Sequence, residues 1–342
     1  MTRCVLDWAQ IHGRRDLPWQ QSISPHRVWI AEVMLQQTRV ETVIPYFERF
    51  MNRFPGVADL ADAPLDTVLA HWSGLGYYSR ARNLHKAAGM IVTAKRFPDS
   101  LEALCKLPGI GRSTAGAILS VGFEKFGVIL DGNVKRVLAR VYAIEGRLDD
   151  ARVKNELWRL SEELSPRKHC REYTQAIMDL GATVCTPHQP DCSACPWSSN
   201  CIAFARDRTH ELPSPRKHKT LPTKSCTLLM LRDQRGQCYL VKRPPVGIWG
   251  GLWALPEFAS KPDTLEWCRK SGATNLQWWP QKRHTFSHFH LDYTPVVADW
   301  SNPGLGVGEN GPSLWCDPEH TNQLALPAPI KRLVERLGAC RT

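Results

Sequence analysis

Residues 185–201 read "CTPHQPDCSACPWSSNC" and place four of the chain's twelve cysteines, Cys185, Cys192, Cys195 and Cys201, on one short loop. The spacers between them are six, two and five residues. Four thiolates gathered so tightly are what an iron–sulfur cluster or a zinc ion requires. Zinc sites usually pair two close-spaced arms across a longer loop, whereas this run has one close pair flanked by longer spacers. The opening residues, "MTRCVLDWAQIHGRRDLPWQ", lack a continuous apolar segment. No stretch approaches the roughly 20 apolar residues of a membrane span. A reducing, cytoplasmic compartment is therefore expected, in which clustered cysteines are metal ligands and not disulfides. The other eight cysteines read as small core residues.

Upstream of this loop, residues 27–205 are predicted to be helical. "RVWIAEVMLQQTRVETVIPYFERF", "STAGAILSVGF", "GNVKRVLARVYAI" and "KNELWRLSEEL" all repeat apolar residues at three and four. Residues 206–224 are rich in proline and basic residues and read as a linker. Beyond it the period shortens: "CTLLMLRD" and "QCYLVKRP" read as a hairpin, and "HTFSHFHLDYTPVVADW" as one long strand or two. A last helix is expected over "APIKRLVERLG". The expected division is a mainly α domain at 1–205, a linker at 206–224 and a smaller α+β domain at 225–342.

Lys and Arg outnumber Asp and Glu by 44 to 33, a net charge of +11. Thirteen basic and ten acidic residues lie from 225 onward, a net of +3, which leaves +8 on residues 1–224. A polyanionic partner is favoured, with its contact mostly on the first part.

Residues 107–119, "LPGIGRSTAGAIL", set a proline and two glycines just ahead of an Ala-rich helical run. A helix that opens behind such a bend turns its first N–H groups and the positive end of its dipole outward. Gly109 and Gly111 thus frame an anion seat, although the same letters also suit a plain link between helices.

Two carboxylates stand out. In "ILDGNVKRVLARV", the stripe Val134, Val137, Leu138 and Val141 puts Asp131 and Asn133 at a helix start. Asp131 is an N-cap on the plain reading. The same helix terminus keeps a carboxylate ionised, fit to stabilise a sugar cation. Glu32, in "VWIAEVMLQQT", is the only charged residue between Arg27 and Arg39. Burial there would raise its pKa and keep it protonated as a general acid. The spacing of Glu32, Gln36 and Arg39 equally fits the wet face of an amphipathic helix.

The C-x6-C-x2-C-x5-C loop together with "LPGIG" resembles the helix–hairpin–helix, endonuclease III superfamily of DNA glycosylases. "SPHRVWIAEVMLQQT", "GLGYYSRARNL", "ILDGNVKRVLARV" and "RHTFSHFHLD" resemble the MutY family of adenine DNA glycosylases within it, over nearly the whole chain. The resemblance implies a helix–hairpin–helix glycosylase domain with a [4Fe–4S] loop, followed by a Nudix-like α+β domain. It implies a monomer that flips and removes adenine mispaired with 8-oxoguanine or guanine in double-stranded DNA.

By position, the resemblance makes Glu32 the acid that protonates adenine N7, Asp131 the stabiliser of the sugar cation, and Asn133 its polar support. Ser113 stands where bifunctional relatives carry a Schiff-base lysine, and a hydroxyl cannot form an iminium. Base excision without efficient strand cleavage is expected. Gln37, Thr38, Leu75, Gly76 and Tyr77 match residues that wedge the duplex and touch the lesion. Arg80, Arg82 and Lys86 are expected to face phosphate. Phe286, Ser287 and His288 match the loop that contacts 8-oxoguanine. "RPPVGIWGGLWALPEF" resembles a Nudix fold, but the segment after it holds only Glu266, so metal-dependent nucleotide hydrolysis is not expected. His284, His288 and His290 are expected on one strand face, and a metal site there is weighed and set aside. A bifunctional glycosylase/lyase and a non-catalytic iron–sulfur DNA-damage binder are the alternatives that strand-cleavage and excision assays separate.

Overall fold

The computed structural model describes residues 1–215, 220–300 and 311–339. The chain packs as two compact units, Met1–Asp62 with Asn83–His218, and Ala63–Arg82 with Lys219–Thr342.

The first unit is helical. Its core forms on the stripe expected from the sequence: Val134, Val137, Leu138 and Val141 of the Gly132–Val141 helix pack with Leu157, Leu160, Tyr173, Ile177 and Trp197. Each such aliphatic side chain contributes about 1.5–3 kcal/mol on burial, so this helix and the residues at its start are firmly seated.

The long apolar run at 27–50 is not one helix. Ser24 caps the Pro25–Leu35 helix by accepting from Arg27 N–H. That helix stops, and a second runs from Val40 to Arg53. Neither glycine nor proline marks the break. Instead Thr38 N–H turns back to the Leu35 carbonyl and the Thr38 hydroxyl to that of Gln36, a local bonding pattern that competes with the helix. Gln37 takes a left-handed φ of 59°.

The Leu101–Cys105 helix and the Arg112–Ala117 helix flank the bend at "LPGIG". Gly109 has φ 79°, and a Cβ there would come within 2.9 Å of Asn83 Cβ. Further along, a Cβ on Gly116 would meet the Val128 carbonyl oxygen at 1.9 Å. Only glycine lets the extended stretch before Asp131 lie directly on this helix.

The expected linker starts later than 206. Leu212 is buried in the first unit's core, and its carbonyl accepts from Arg140 Nε.

The second unit is built on a twisted sheet whose path, among the described residues, runs Trp253–Ala254, Cys238–Lys242, Thr223–Arg232, His290–Asp299, Thr274–Trp278. Thr223–Arg232 pairs in parallel with His290–Asp299 over its full length. Leu229, Leu231, Val296, Ala298 and Trp300 form its core. "HTFSHFHLDYTPVVADW" resolves into two strands, Lys282–Thr285 and His290–Asp299, paired antiparallel. The final helix spans Ala328–Ala339.

Residues 63–82, expected with the first domain, pack in the second unit. Asp66 accepts from Lys242 Nζ at 2.7 Å, and the Ser73 hydroxyl donates to the Leu326 carbonyl at 2.7 Å. Among the described residues, no helix is long and apolar enough to cross a membrane.

Candidate active site and nucleic-acid interface

Glu32 sits among Val28, Trp29, Ile30, Ala31, Val33 and Met34, all buried. The helix ends three residues later, so the wet face that Glu32, Gln36 and Arg39 could have formed does not exist. The carboxyl instead lines a cavity of about 50 Å³ with Trp19, Leu35, Val40 and Met178. Burial, reinforced by the Asp131 charge, pushes the Glu32 carboxyl up to about 8. It is protonated at neutral pH. The cavity has room for a water or two and is smaller than a purine.

Three polar side chains that sequence reasoning missed share this cavity: Arg14, Gln20 and Gln175. The buried Asp179 orients two of them. It accepts from Arg14 Nε at 2.8 Å and from Gln175 Nε2 at 3.0 Å. Their only sequence signal is a single acidic residue inside the apolar "AIMDLGATV".

Asp131 caps its helix, accepting from Val134 N–H at 2.8 Å. The cap bonds and Arg136 pull its pKa down, but burial outweighs them and holds the carboxyl above the usual range. Burial thus opposes the helix terminus expected to keep Asp131 ionised.

Ser113 lies just behind this carboxylate in the chain's path: its Oγ accepts from Leu130 N–H at 2.9 Å. Asn133 accepts from Arg136 Nη2 at 2.8 Å, and the same guanidinium donates to the carbonyls of Gly181 and Cys185.

Cys185, Cys192, Cys195 and Cys201 line one small cavity with Val137, Arg140 and Phe204. Among the described residues, no group of three or more His, Cys, Asp or Glu is arranged to hold a single metal ion. Arg140 is only 2% exposed. It donates to Cys185 Sγ at 3.3 Å and to the carbonyls of Thr186 and Pro187. A cation sunk in a core calls for a counter-charge, which these cysteines would supply only as ligated thiolates.

Gly109 and Gly111 are exposed at the bend. Gln37 is exposed and Thr38 half-buried, both in the first unit.

In the second unit, Gly76, Tyr77, Phe286, Ser287 and His288 border one cavity of about 680 Å³. Leu75 is buried beneath the turn. Tyr77 takes φ 48° and stays 45% exposed. Arg80, expected to face phosphate, is instead turned inward. It is buried, donates to the carbonyls of Leu75 and Gly76, and lies against the Trp72 and Tyr77 rings. Arg82 donates to the Gly250 carbonyl, while Lys86 is exposed. Phe286 stacks on Phe289 at 4.5 Å and meets Trp249 and His284 edge-on or tilted. Residues 286–289 form a turn closed by Phe286 N–H to the Phe289 carbonyl. That turn separates His284 and His290 onto two strands, so the three histidines do not share one strand face.

A family model described as "HhH-GPD superfamily base excision DNA repair protein" matches residues 30–163, and one described as "NUDIX domain" matches residues 227–336. The fold and these matches together define a base-excision DNA repair protein with a helix–hairpin–helix part and a Nudix-like part.

The chain is 38% identical to the adenine DNA glycosylase of Buchnera aphidicola subsp. Schizaphis graminum (strain Sg), over 98% of this chain and 97% of that one. It is 35% identical to the adenine DNA glycosylase of Homo sapiens, over 84% of this chain and 65% of that one. It belongs to the adenine DNA glycosylase family, N-glycosylases that remove adenine in base-excision repair.

Among solved structures, a thermostable thymine-DNA glycosylase superposes with a TM-score of 0.53 at 26% identity, over 60% of this chain and 95% of that one. Endonuclease III in a non-covalent DNA complex gives 0.51 at 24%, with the same coverage, and shares the fold.

Proposed function

We propose that this glycosylase excises adenine paired with 8-oxoguanine or guanine, as a monomer on duplex DNA in the cytoplasm, without cutting the strand. The observation that carries the reading is the Glu32 carboxyl lining one small cavity with Arg14, Gln20 and Gln175, where burial and the Asp131 charge favour its protonated form. As the C1′–N9 bond breaks, its electrons pass into the base, and Glu32 delivers its proton at adenine N7. The cation left at C1′ is met by the Asp131 carboxylate. Water then adds at C1′ and returns a proton to Glu32, giving free adenine and an abasic site. Arg14, Gln20 and Gln175 supply the polar edge that reads the base. Because the cavity is smaller than a purine, the break between the two helices, at whose ends Leu35 and Val40 line it, yields to admit one.

Gly109 and Gly111 grip the backbone without reading sequence. Gln37, Thr38, Leu75, Gly76 and Tyr77 wedge the duplex, and the cavity bordered by Phe286, Ser287 and His288 takes the lesion. The four cysteines fit a [4Fe–4S] cluster: they line one cavity without converging on one ion, and buried Arg140 would face the negative charge that ligation gives their thiolates. The cluster would staple the 185–201 loop to the Gly132–Val141 helix.

The test is excision from A:8-oxoguanine, A:G and A:T duplexes, scored for strand breaks before and after alkali. Breaks only after alkali, fastest opposite 8-oxoguanine, support the proposal. Strong nicking without alkali, or no excision opposite 8-oxoguanine, overturns it.

A further inference from the structure

The peptide joining Ile129 to Leu130 ends one residue before Asp131, and serine hydroxyls hold both of its polar atoms. Leu130 N–H donates to Ser113 Oγ at 2.9 Å, and the Ser161 hydroxyl donates to the Ile129 carbonyl at 2.7 Å. The two serines come from different helices, Arg112–Ala117 and Ala151–Leu164. Ser161 is only 3% exposed. Residues 126–130 belong to no helix or strand, so no ladder of backbone bonds serves this peptide. Beneath it, the glycine-only contact of Gly116 with Val128 leaves the segment no slack. Asp131 is thereby fixed from both sides: its own cap bond downstream, and this peptide upstream.

We propose that Ser113 and Ser161 form a two-hydroxyl clamp that positions the Asp131 carboxylate, making Ser113 a positioning residue for excision as well as the substitute for an amine. The proposal rests on the reading of Asp131 as the group that meets the sugar cation. A carboxylate that must sit against one carbon loses rate steeply when its backbone drifts by a fraction of an ångström. Alanine at either serine leaves a peptide atom without its partner and frees that drift. Threonine at 113 keeps the oxygen.

The experiment compares full-length wild type, Ser113→Ala, Ser113→Thr, Ser161→Ala, the double alanine variant and Asp131→Asn. Readouts are single-turnover excision across pH, affinity for a duplex carrying a non-cleavable adenosine analogue, and thermal midpoint. Each single alanine variant should slow excision about ten- to a hundredfold with affinity unchanged. The double variant should be little slower than the worse single one, since both act on one peptide. Ser113→Thr should recover most of the loss.

The acid limb of the Ser113→Ala profile should move to lower pH, because a loosened Asp131 gains water and its raised pKa falls. A merely structural role lowers the midpoint and leaves the profile in place. Alanine variants that excise within about twofold of wild type on an unshifted profile, beside an inactive Asp131→Asn, overturn the clamp. An active Asp131→Asn overturns the underlying reading, and the clamp with it. Should Ser161→Ala not fold, the half-buried Ser113 pair decides alone.

Discussion

Arg140 Nη1 lies 3.3 Å from Cys185 Sγ in the core, and among the described residues no carboxylate forms an ion pair with that guanidinium. Its remaining partners are carbonyl dipoles. The four ligated thiolates of the proposed cluster would add the negative charge that this enclosed cation lacks.

Arg140→Met should therefore lower iron retention. Purified protein should carry less than half the iron of wild type, read by metal analysis and visible absorbance. An iron content equal to wild type would refute the electrostatic role. Apo protein should be less stable than holo protein, because the buried cation then lacks its counter-charge.

Glu32 gives a pH signature with a fixed sign. Its folded pKa, about 8, lies above the ordinary glutamate value, so folding favours the protonated form. That contribution is complete below about pH 4.5 and is lost as pH rises through 8. Glu32→Gln should abolish excision while keeping duplex binding. Its thermal midpoint relative to wild type should climb from pH 5 to pH 9. A constant difference across that range would contradict the buried, protonated carboxyl. Wild-type excision should fall as pH passes 8.

Gly116→Ala would place a methyl 1.9 Å from the Val128 carbonyl oxygen, a backbone atom with little freedom to move. A loss of about 3 kcal/mol is expected, measured by urea unfolding. Excision should drop further than at an equally destabilised variant elsewhere, because the displaced segment carries Asp131.

Phe286→Ala removes a ring stacked at 4.5 Å on Phe289 at the edge of the second unit's cavity. If that cavity takes 8-oxoguanine, affinity for the A:8-oxoguanine duplex should weaken about 10- to 100-fold. Affinity for A:G should change less. Equal losses on both duplexes would place the ring's role in packing alone.

Features written in neighbouring letters were legible: the cysteine spacing, the glycine bend, the Asp131 cap and the switch from helical to strand period each depend on a dozen residues or fewer. Features assembled from distant letters were not. Arg14 and Gln175 reach the cavity that Glu32 lines only after the chain has folded, and Asp179, which aims them, carries no motif of its own. The break at Gln36–Arg39 carried no glycine or proline because hydroxyl and amide bonds made it. Arg80 is expected from sequence to face phosphate, since periodicity cannot tell a guanidinium buried over Trp72 from one at the surface. The anchoring of Leu212 likewise hid inside a proline-rich stretch.

The second unit's discontinuity bears on how the protein is made. Asp66 and Lys242 are 176 residues apart, so the Leu65–Trp72 helix emerges long before its partner strand exists. At about 5–20 residues per second, the interval is roughly 9–35 s. During that time Val68, Leu69 and Trp72, which are buried in the folded protein, lack the strands of their own unit. Slowing translation downstream of residue 82 would lengthen that interval, whereas splitting the gene at the proline-rich stretch would separate the helix from its sheet altogether.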